Sequence, residues 1–398
     1  MSRRRAVRPR RADARGGRRP SARGGRAGWP LLVVLSLLGV PGPAGATGPG
    51  PPSAPLATSF ATPAGSWAVV AMGHLDDPLN TFWQLFFRPD GATNWDLRTP
   101  PGVADNGGLV TTGASAGDLT VAFLPSEMLG FSPSAATADD GASWSPGVIP
   151  LAVAPLPDAL GGAPDGVVWA VVRGGAGARV AGQVGPAGRW RTVTTGSALA
   201  ATPAGRSCGL VAVTSVSVGA VGGSCTRSGV VGIFERAAGR WRLTGPWIGA
   251  GAGATTVLRL DLVDGAETAL VAARRGGSTS LVALRAVVGA DRWAVSAPLA
   301  LGRTGRLCSS GTDPAGGVVV VTGATGQACR SAAASTGGGQ WRRLPVLPPG
   351  TAVVSGGAGG LFDALSVHST LFTDWRLRAT RWVGVQSLRV PIQFGSSN

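Results

Sequence analysis

The chain contains two histidines, His74 and His368, and three glutamates, Glu127, Glu235 and Glu267. Acid–base or metal chemistry therefore has few places to reside. His74 is followed by Asp76 and Asp77, a grouping that suits a divalent cation or a general acid and base. His368 would supply a second imidazole if the fold brings it alongside. Arg173 and the pair Arg274-Arg275 each end an apolar run, and a guanidinium there suits bidentate capture of a carboxylate or sulfate. Glu127 follows another such run. These eight residues are the ligand-binding candidates; no catalytic role is assigned, and a divalent metal is the one cofactor the pattern admits. Polar residues at strand ends are also what any soluble β protein exposes. Asp261, Asp264 and Glu267 would suit calcium, although an Asp-Gly turn explains Asp264 equally well. There is no Ser-His-Asp order, phosphate loop or CxxC pair.

What must position these residues is a repeat. Trp95, Trp144, Trp190, Trp241, Trp293, Trp341 and Trp382 recur at intervals of 41 to 52 residues, most of them after a glycine-containing turn. An apolar, β-rich run recurs in every unit, at 67–73, 119–125, 167–174, 208–216, 267–275, 317–323 and 361–368. A further run follows it, as at 82–87, 230–237 and 281–288, then the turn, then the tryptophan. No stretch keeps a helical period beyond two turns. Four short strands per roughly fifty residues predict an all-β fold, a seven-bladed β-propeller of four-stranded blades over residues 64–398. The recurrent apolar run is expected as the second strand and the tryptophan run as the fourth, outermost one. The first unit then lacks an innermost strand. Leu56–Thr62 or the C-terminal 388–394 segment would supply it; the latter is preferred, closing the ring by pairing of the chain ends. Loops after second strands would share one face, setting His74 and His368 on neighbouring blades.

Four cysteines occupy nearly homologous places in the fourth and sixth units. That alignment predicts the bridges Cys208–Cys225 and Cys308–Cys329, each inside one blade and each contributing about 3 kcal/mol by loop entropy.

One turn is more specific than the rest. Thr137-Ala138-Asp139-Asp140-Gly141-Ala142-Ser143-Trp144 fits Ser/Thr-x-Asp-x-Gly-x-Ser/Thr-Trp at every defined position. It resembles the Asp-box (BNR) repeat of the sialidase-like β-propeller superfamily. In that resemblance Thr137, Asp139, Gly141, Ser143 and Trp144 are structural: the aspartate accepts N–H groups within the turn, the glycine takes a positive φ, and the tryptophan packs beneath. The resemblance places this turn on the face away from any catalytic centre. It also implies a tyrosine nucleophile, which a chain without tyrosine cannot provide.

Residues 1–46 read as a signal peptide. Eleven arginines precede or enter a segment whose apolar run, Trp29–Val40, is too short for a bilayer, and Ala44-Gly45-Ala46 suits a signal peptidase. Residues 47–63 are a Pro/Ala-rich linker. The N-terminal segment carries +10 of the net +16, leaving a dispersed +6 on the mature part, which argues against nucleic-acid binding. The even cysteine count fits an oxidising compartment. The expectation is a secreted or cell-surface monomer without a stable membrane span, a non-catalytic binding module presenting one face to a glycan or protein. A degenerate polysaccharide hydrolase or lyase, and a structural envelope or assembly factor, are the alternatives. Arginines beside repeat tryptophans, as in Arg189-Trp190-Arg191, would form a basic rim for anionic glycans or simply cover outer strands.

Overall fold

The computed structural model describes residues 57–73, 81–101, 109–114, 119–123, 132–149, 157–162, 167–172, 177–184, 189–217, 219–263, 265–287 and 292–391. Nearly all their regular structure is β, and most strands pair antiparallel with their sequence neighbours in successive meanders. Two short ladders run between meanders, a parallel one at Thr58↔Ser310 and Ser59↔Gly311 and an antiparallel one at Ser224↔Thr256 and Cys225↔Thr255. The first comprises β1 (Thr58–Thr62), β2 (Gly65–Gly73), β3 (Thr81–Pro89) and β4 (Asp96–Leu97). The second comprises β5 (Leu109–Ala114), β6 (Leu119–Phe123), β7 (Ser132–Thr137) and β8 (Ser145–Ile149). The third is β9 (Ala159–Gly162), β10 (Val167–Val172), β11 (Arg179–Val184) and β12 (Arg191–Thr195). Two one-turn helices, α1 (Gly196–Ala200) and α2 (Pro203–Cys208), lead to the fourth: β13 (Leu210–Ser217), β14 (Ala220–Cys225), β15 (Gly232–Ala237) and β16 (Arg240–Leu243).

The fifth meander has β17 (Ala254–Val263), β18 (Ala266–Arg275) and β19 (Ser278–Val287), with β20 (Ala294–Val295) and β21 (Leu299–Gly302) sharing its outer edge. The sixth is β22 (Gly305–Thr312), β23 (Val318–Ala324), β24 (Ser331–Ser335) and β25 (Arg342–Arg343). The last is β26 (Thr351–Gly356), β27 (Phe362–His368), β28 (Leu371–Arg378) and β29 (Arg381–Arg389). Each repeat tryptophan stands in, or immediately before, the outer strand of its meander.

The second strands explain the apolar runs. β2, β18 and β23 are buried along most of their length, because both of their faces meet a neighbouring sheet. Their side chains form successive clusters, each joining one meander to the next. Trp67 and Leu85 meet Val121, Ala122 meets Ala170, Val171 meets Val213, and Ile233 meets Val271. Leu270 then meets Val320, and Val319 meets Ala364. A final cluster returns to the start, with Val70 and Phe86 of the first meander against Leu365 and Phe372 of the last. Burying each large apolar side chain contributes roughly 1.5–3 kcal/mol.

Tryptophan also straps sheets together. The indole Nε1 of Trp293, Trp341 and Trp382 donates to the backbone oxygen of Thr244, Ala297 and Pro345, at 2.9, 2.8 and 3.4 Å. Each acceptor lies just beyond the outer strand of the preceding meander.

Two expectations require correction. The innermost strand of the first meander is its own β1, paired with β2 from Thr58↔Val69 to Thr62↔Gly65. The C-terminal residues to Arg389 instead continue β29, paired only with β28, because a tight turn at Ala379 folds the chain straight back. Among the described residues the chain ends therefore do not pair. β1 also occupies part of the stretch expected as linker. In the fourth meander, moreover, the apolar run 208–216 is the inner strand β13, and the second strand is β14, AVGGSC. Small residues are required there: a Cβ on Gly222 would sit 2.0 Å from Ser215 Oγ and 2.7 Å from Val257 Cγ1.

Both disulfides, Cys208–Cys225 and Cys308–Cys329, are present, with Cα–Cα separations of 5.3 and 6.3 Å. Among the described residues no helix is long and apolar enough to cross a membrane.

Candidate functional site

Antiparallel alternation sorts the loops into two sets. Those after second and fourth strands open at one end of the molecule; those after first and third strands open at the other. The ends of β2 and β27 lie side by side at the first of these, where Gly73 N donates to Ser369 O at 3.0 Å. His368, the last residue of β27, is exposed. His74, Asp76, Asp77, Glu127 and Arg173 lie outside the described residues. Arg274 is half-buried and Arg275 exposed at the end of β18. Among the described residues no group of three or more His, Cys, Asp or Glu could hold a metal ion.

Beside Arg275 the structure sets a residue that sequence reasoning passed over. Trp247 lies in the loop between β16 and β17 and is 66% exposed. Large aromatic rings are normally withdrawn from water, so such exposure on a fixed backbone costs free energy that folding alone does not recover. The backbone here is fixed. Trp247 pairs with Val230 as an isolated bridge, Val231 N donates to Pro246 O at 3.1 Å, and Ile248 N to Gly229 O at 2.8 Å. Ser228 Oγ donates to Ala250 O at 2.5 Å, and Arg275 Nη1 to Gly251 O at 3.4 Å. Gly229 holds φ +72°, and a Cβ there would meet Gly249 O at 2.2 Å, so the two loops close on a glycine that no other residue replaces.

Below this pair of loops lies the Cys208–Cys225 bridge. Arg227 N donates to Cys208 O and Thr226 N to Gly209 O, both at 3.1 Å. The bridge therefore holds the loop after β14, and that loop holds Trp247. A Cβ on Gly232 would stand 2.5 Å from Cys225 Sγ, so the strand after the loop is packed tightly against the sulfur.

The opposite end carries the Asp-box-like turn, between β7 and β8. Thr137 Oγ1 accepts from Gly141 N at 2.9 Å and donates to Asp139 Oδ1 at 2.8 Å. Asp139 accepts from Ser143 N at 2.8 Å and from Ser143 Oγ at 2.5 Å. These bonds, first those from Ser143 and then that from Thr137, draw the Asp139 pKa down to about 2. Gly141 adopts φ +78°, with Trp144 and Trp67 packed against it. Three hydrogen bonds to this carboxylate come from within the turn, so it holds the turn's structure.

A buried charge network joins the first and last meanders on the same side. Asp363, fully buried, pairs with Arg88 and with Arg376 Nε at 2.9 Å. Arg376 also donates to Thr93 O at 3.3 Å and approaches Asp374 Oδ2 at 4.0 Å. The Arg88 guanidinium lies 4.9 Å from the centre of the Trp95 ring, and Gln386 brackets the Trp95 backbone, accepting at 2.7 Å and donating at 2.9 Å. Burial lowers the Arg88 pKa. Neither Asp374 oxygen reaches normal hydrogen-bond geometry with a protein partner. Burial pushes its pKa up to about 6, against the pull of Arg88, Arg376 and the nearby Trp95 indole. Between the fourth and fifth meanders, burial and then the neighbouring Glu235 push Glu267 up to about 7. These groups are interior and sealed by packing, and they join sheets rather than line a cleft.

No protein-family model matches the chain, and no curated protein matches it. Solved structures similar to it include YCF48 bound to D1 peptide, 13% identical over 74% of this chain and 81% of that one, at a TM-score of 0.40. A candidate 6-phosphogluconolactonase from Bacteroides fragilis is 8% identical over 83% and 96%, at 0.48. Apo AztD from Citrobacter koseri is 12% identical over 82% and 96%, at 0.47.

Proposed function

We propose that the chain is an exported binding module, a closed seven-bladed β-propeller that presents the end bearing Trp247 to an extracellular glycan or protein. The cyclic succession of side-chain clusters supports the ring. The Asp-box-like turn supports the resemblance to sialidase-like propellers without their chemistry. Two disulfides fit an oxidising compartment, and residues 1–46 fit a leader removed on export.

One observation carries the binding reading: a tryptophan two-thirds exposed on a loop whose backbone is pinned on both sides. A rigid, solvent-facing aromatic ring is poised for a partner, since no loop entropy is lost when contact forms. The test is a glycan array and a crosslinking screen with the purified full chain, run in parallel for wild type and Trp247→Ala. Loss of a central aromatic contact should weaken the partner found roughly thirtyfold, with thermal unfolding unchanged. A partner that binds Trp247→Ala as tightly as wild type would sink this face as the site.

A further inference from the structure

We propose that the ligand of this face is an anionic polysaccharide, whose carboxylate or sulfate groups meet arginines while a sugar ring rests on Trp247. This deepens the binding reading above and rests on it.

In the fourth to sixth meanders, the loops after second and fourth strands cover residues 226–231, 244–253, 276–277, 303–304, 325–330 and 344–350. Those loops and the strand ends beside them carry Arg227, Arg275, Arg303, Arg306, Arg330 and Arg343, and no aspartate or glutamate. All six are exposed. At the other end of the same meanders the signs mix, with Asp261, Glu267 and Asp313 among arginines. In these three meanders the alternation of strand direction thus leaves one end without acids, while arginines stand at both. Guanidinium groups without neighbouring carboxylates attract anions at a distance and hold carboxylate or sulfate in two-pronged bonds on contact.

Two of these arginines are themselves positioned. Arg275 Nη1 donates to Gly251 O at 3.4 Å, and Arg306 Nη2 to Gln327 O at 3.2 Å. The Cys208–Cys225 bridge holds Arg227 through its backbone N–H, and Arg330 follows Cys329 of the second bridge directly. Pro246 and Ile248 flank Trp247, Ile248 packing against the core, and the loop beyond them carries only small side chains, Gly249, Ala250, Gly251, Ala252 and Gly253. An exposed indole on such a loop suits shallow stacking on a sugar face. A protein interface would ask for a larger apolar centre.

The test measures binding of the full chain to heparin, polygalacturonate, uncharged dextran and polyglutamate across a salt series. Heparin or polygalacturonate should bind and dextran should not, with affinity falling as salt rises from roughly 50 to 200 mM. The double variant Arg227→Ser/Arg275→Ser should weaken binding roughly tenfold or more, the loss of a charge-assisted contact. Trp247→Ala should weaken it as well, whereas Arg240→Ser/Arg292→Ser at the opposite end should bind as wild type does. Equal binding to dextran would overturn the charge argument and leave the binding face standing. Polyglutamate bound as tightly as the polysaccharides, with Trp247→Ala without effect, would overturn the sugar in favour of an acidic peptide. An equal loss in the opposite-end variant would overturn the localisation of charge. Failure of all four polymers, with Trp247 still needed for a partner from the crosslinking screen, would overturn this proposal alone.

Discussion

Adjacent sheets are joined in two different ways. From the fourth meander to the last, a tryptophan indole donates to a backbone carbonyl of the preceding sheet, and the contact is neutral and repeated. Where the last meander meets the first, the corresponding tryptophan is Trp95, and it is surrounded instead by Arg88, Arg376, Asp363 and Asp374. The neutral joints link segments that are neighbours in sequence and would find each other anyway. The charged joint links residues 275 apart, Arg88 and Asp363, and recognises one partner only. An ionic contact adds little net stability over a well-packed apolar one, but removing one member leaves a buried charge alone. The difference teaches that specificity is concentrated where chain connectivity gives no help.

The largest way to break this contrast is Asp363→Asn, which strands two buried guanidinium groups and should cost about 3–5 kcal/mol. Urea unfolding measures it; a loss no greater than that of a neutral joint would erase the distinction. Next comes Cys208→Ser/Cys225→Ser, expected to cost about 3 kcal/mol through the 17-residue loop it opens. Comparison with the Asp363→Asn variant ranks a covalent tie inside one sheet against an ionic one between two.

The pH dependence is smaller and tests both joints together. Asp374 near 6 and Glu267 near 7 are raised above their unfolded values, so each favours folding while protonated. Their contribution is complete below the ordinary carboxyl range and is lost as pH rises through about 6 and then about 7. Stability should be greater at pH 5 than at pH 8 by something of order 2 kcal/mol. Asp374→Asn/Glu267→Gln should flatten that part of the profile, and an unaltered profile would mean neither group titrates in this range. Trp341→Phe removes one neutral strap and should cost about 1 kcal/mol in the same assay. Smallest of all, Arg227→Ser/Arg275→Ser should change the stability by less than about 0.5 kcal/mol, as surface residues do.

How much of this was legible beforehand depends on the range of the interaction. The tryptophan period marked the outer strands because turn and strand chemistry are local, and the two bridges followed from their matched spacing. The eight residues of the Asp-box-like turn announced their own hydrogen bonds. The second strand of the fourth meander was misread because AVGGSC has no apolar signature; its glycines answer to Ser215 and Val257 across the sheet. β1 falls within Leu56–Thr62, one of the two segments the sequence offered for the first inner strand, and the preference for the C-terminal segment failed because pairing partners are not legible from composition. Nothing local pairs Arg88 with Asp363. Trp247 was missed because it follows Trp241 by six residues and falls off the period. Its signal was there, a tryptophan flanked by glycine and proline outside every strand run. The exclusion of acids from one end of the fourth to sixth meanders emerged only once strand direction was known.

The outer strands β4, β20 and β25 are two residues long. A row of so few open N–H and C=O groups cannot template the addition of a strand from another molecule, so sheet growth and fibril seeding are blocked at those rims. β8, β12 and β16 run to four or five residues, and the nine-residue β29, the longest of the outer strands, begins and ends with arginine, Arg381 and Arg389. Like charges would then confront one another whenever two copies approached edge to edge. A protein rich in apolar strands thereby gains colloidal stability from the brevity of its margins.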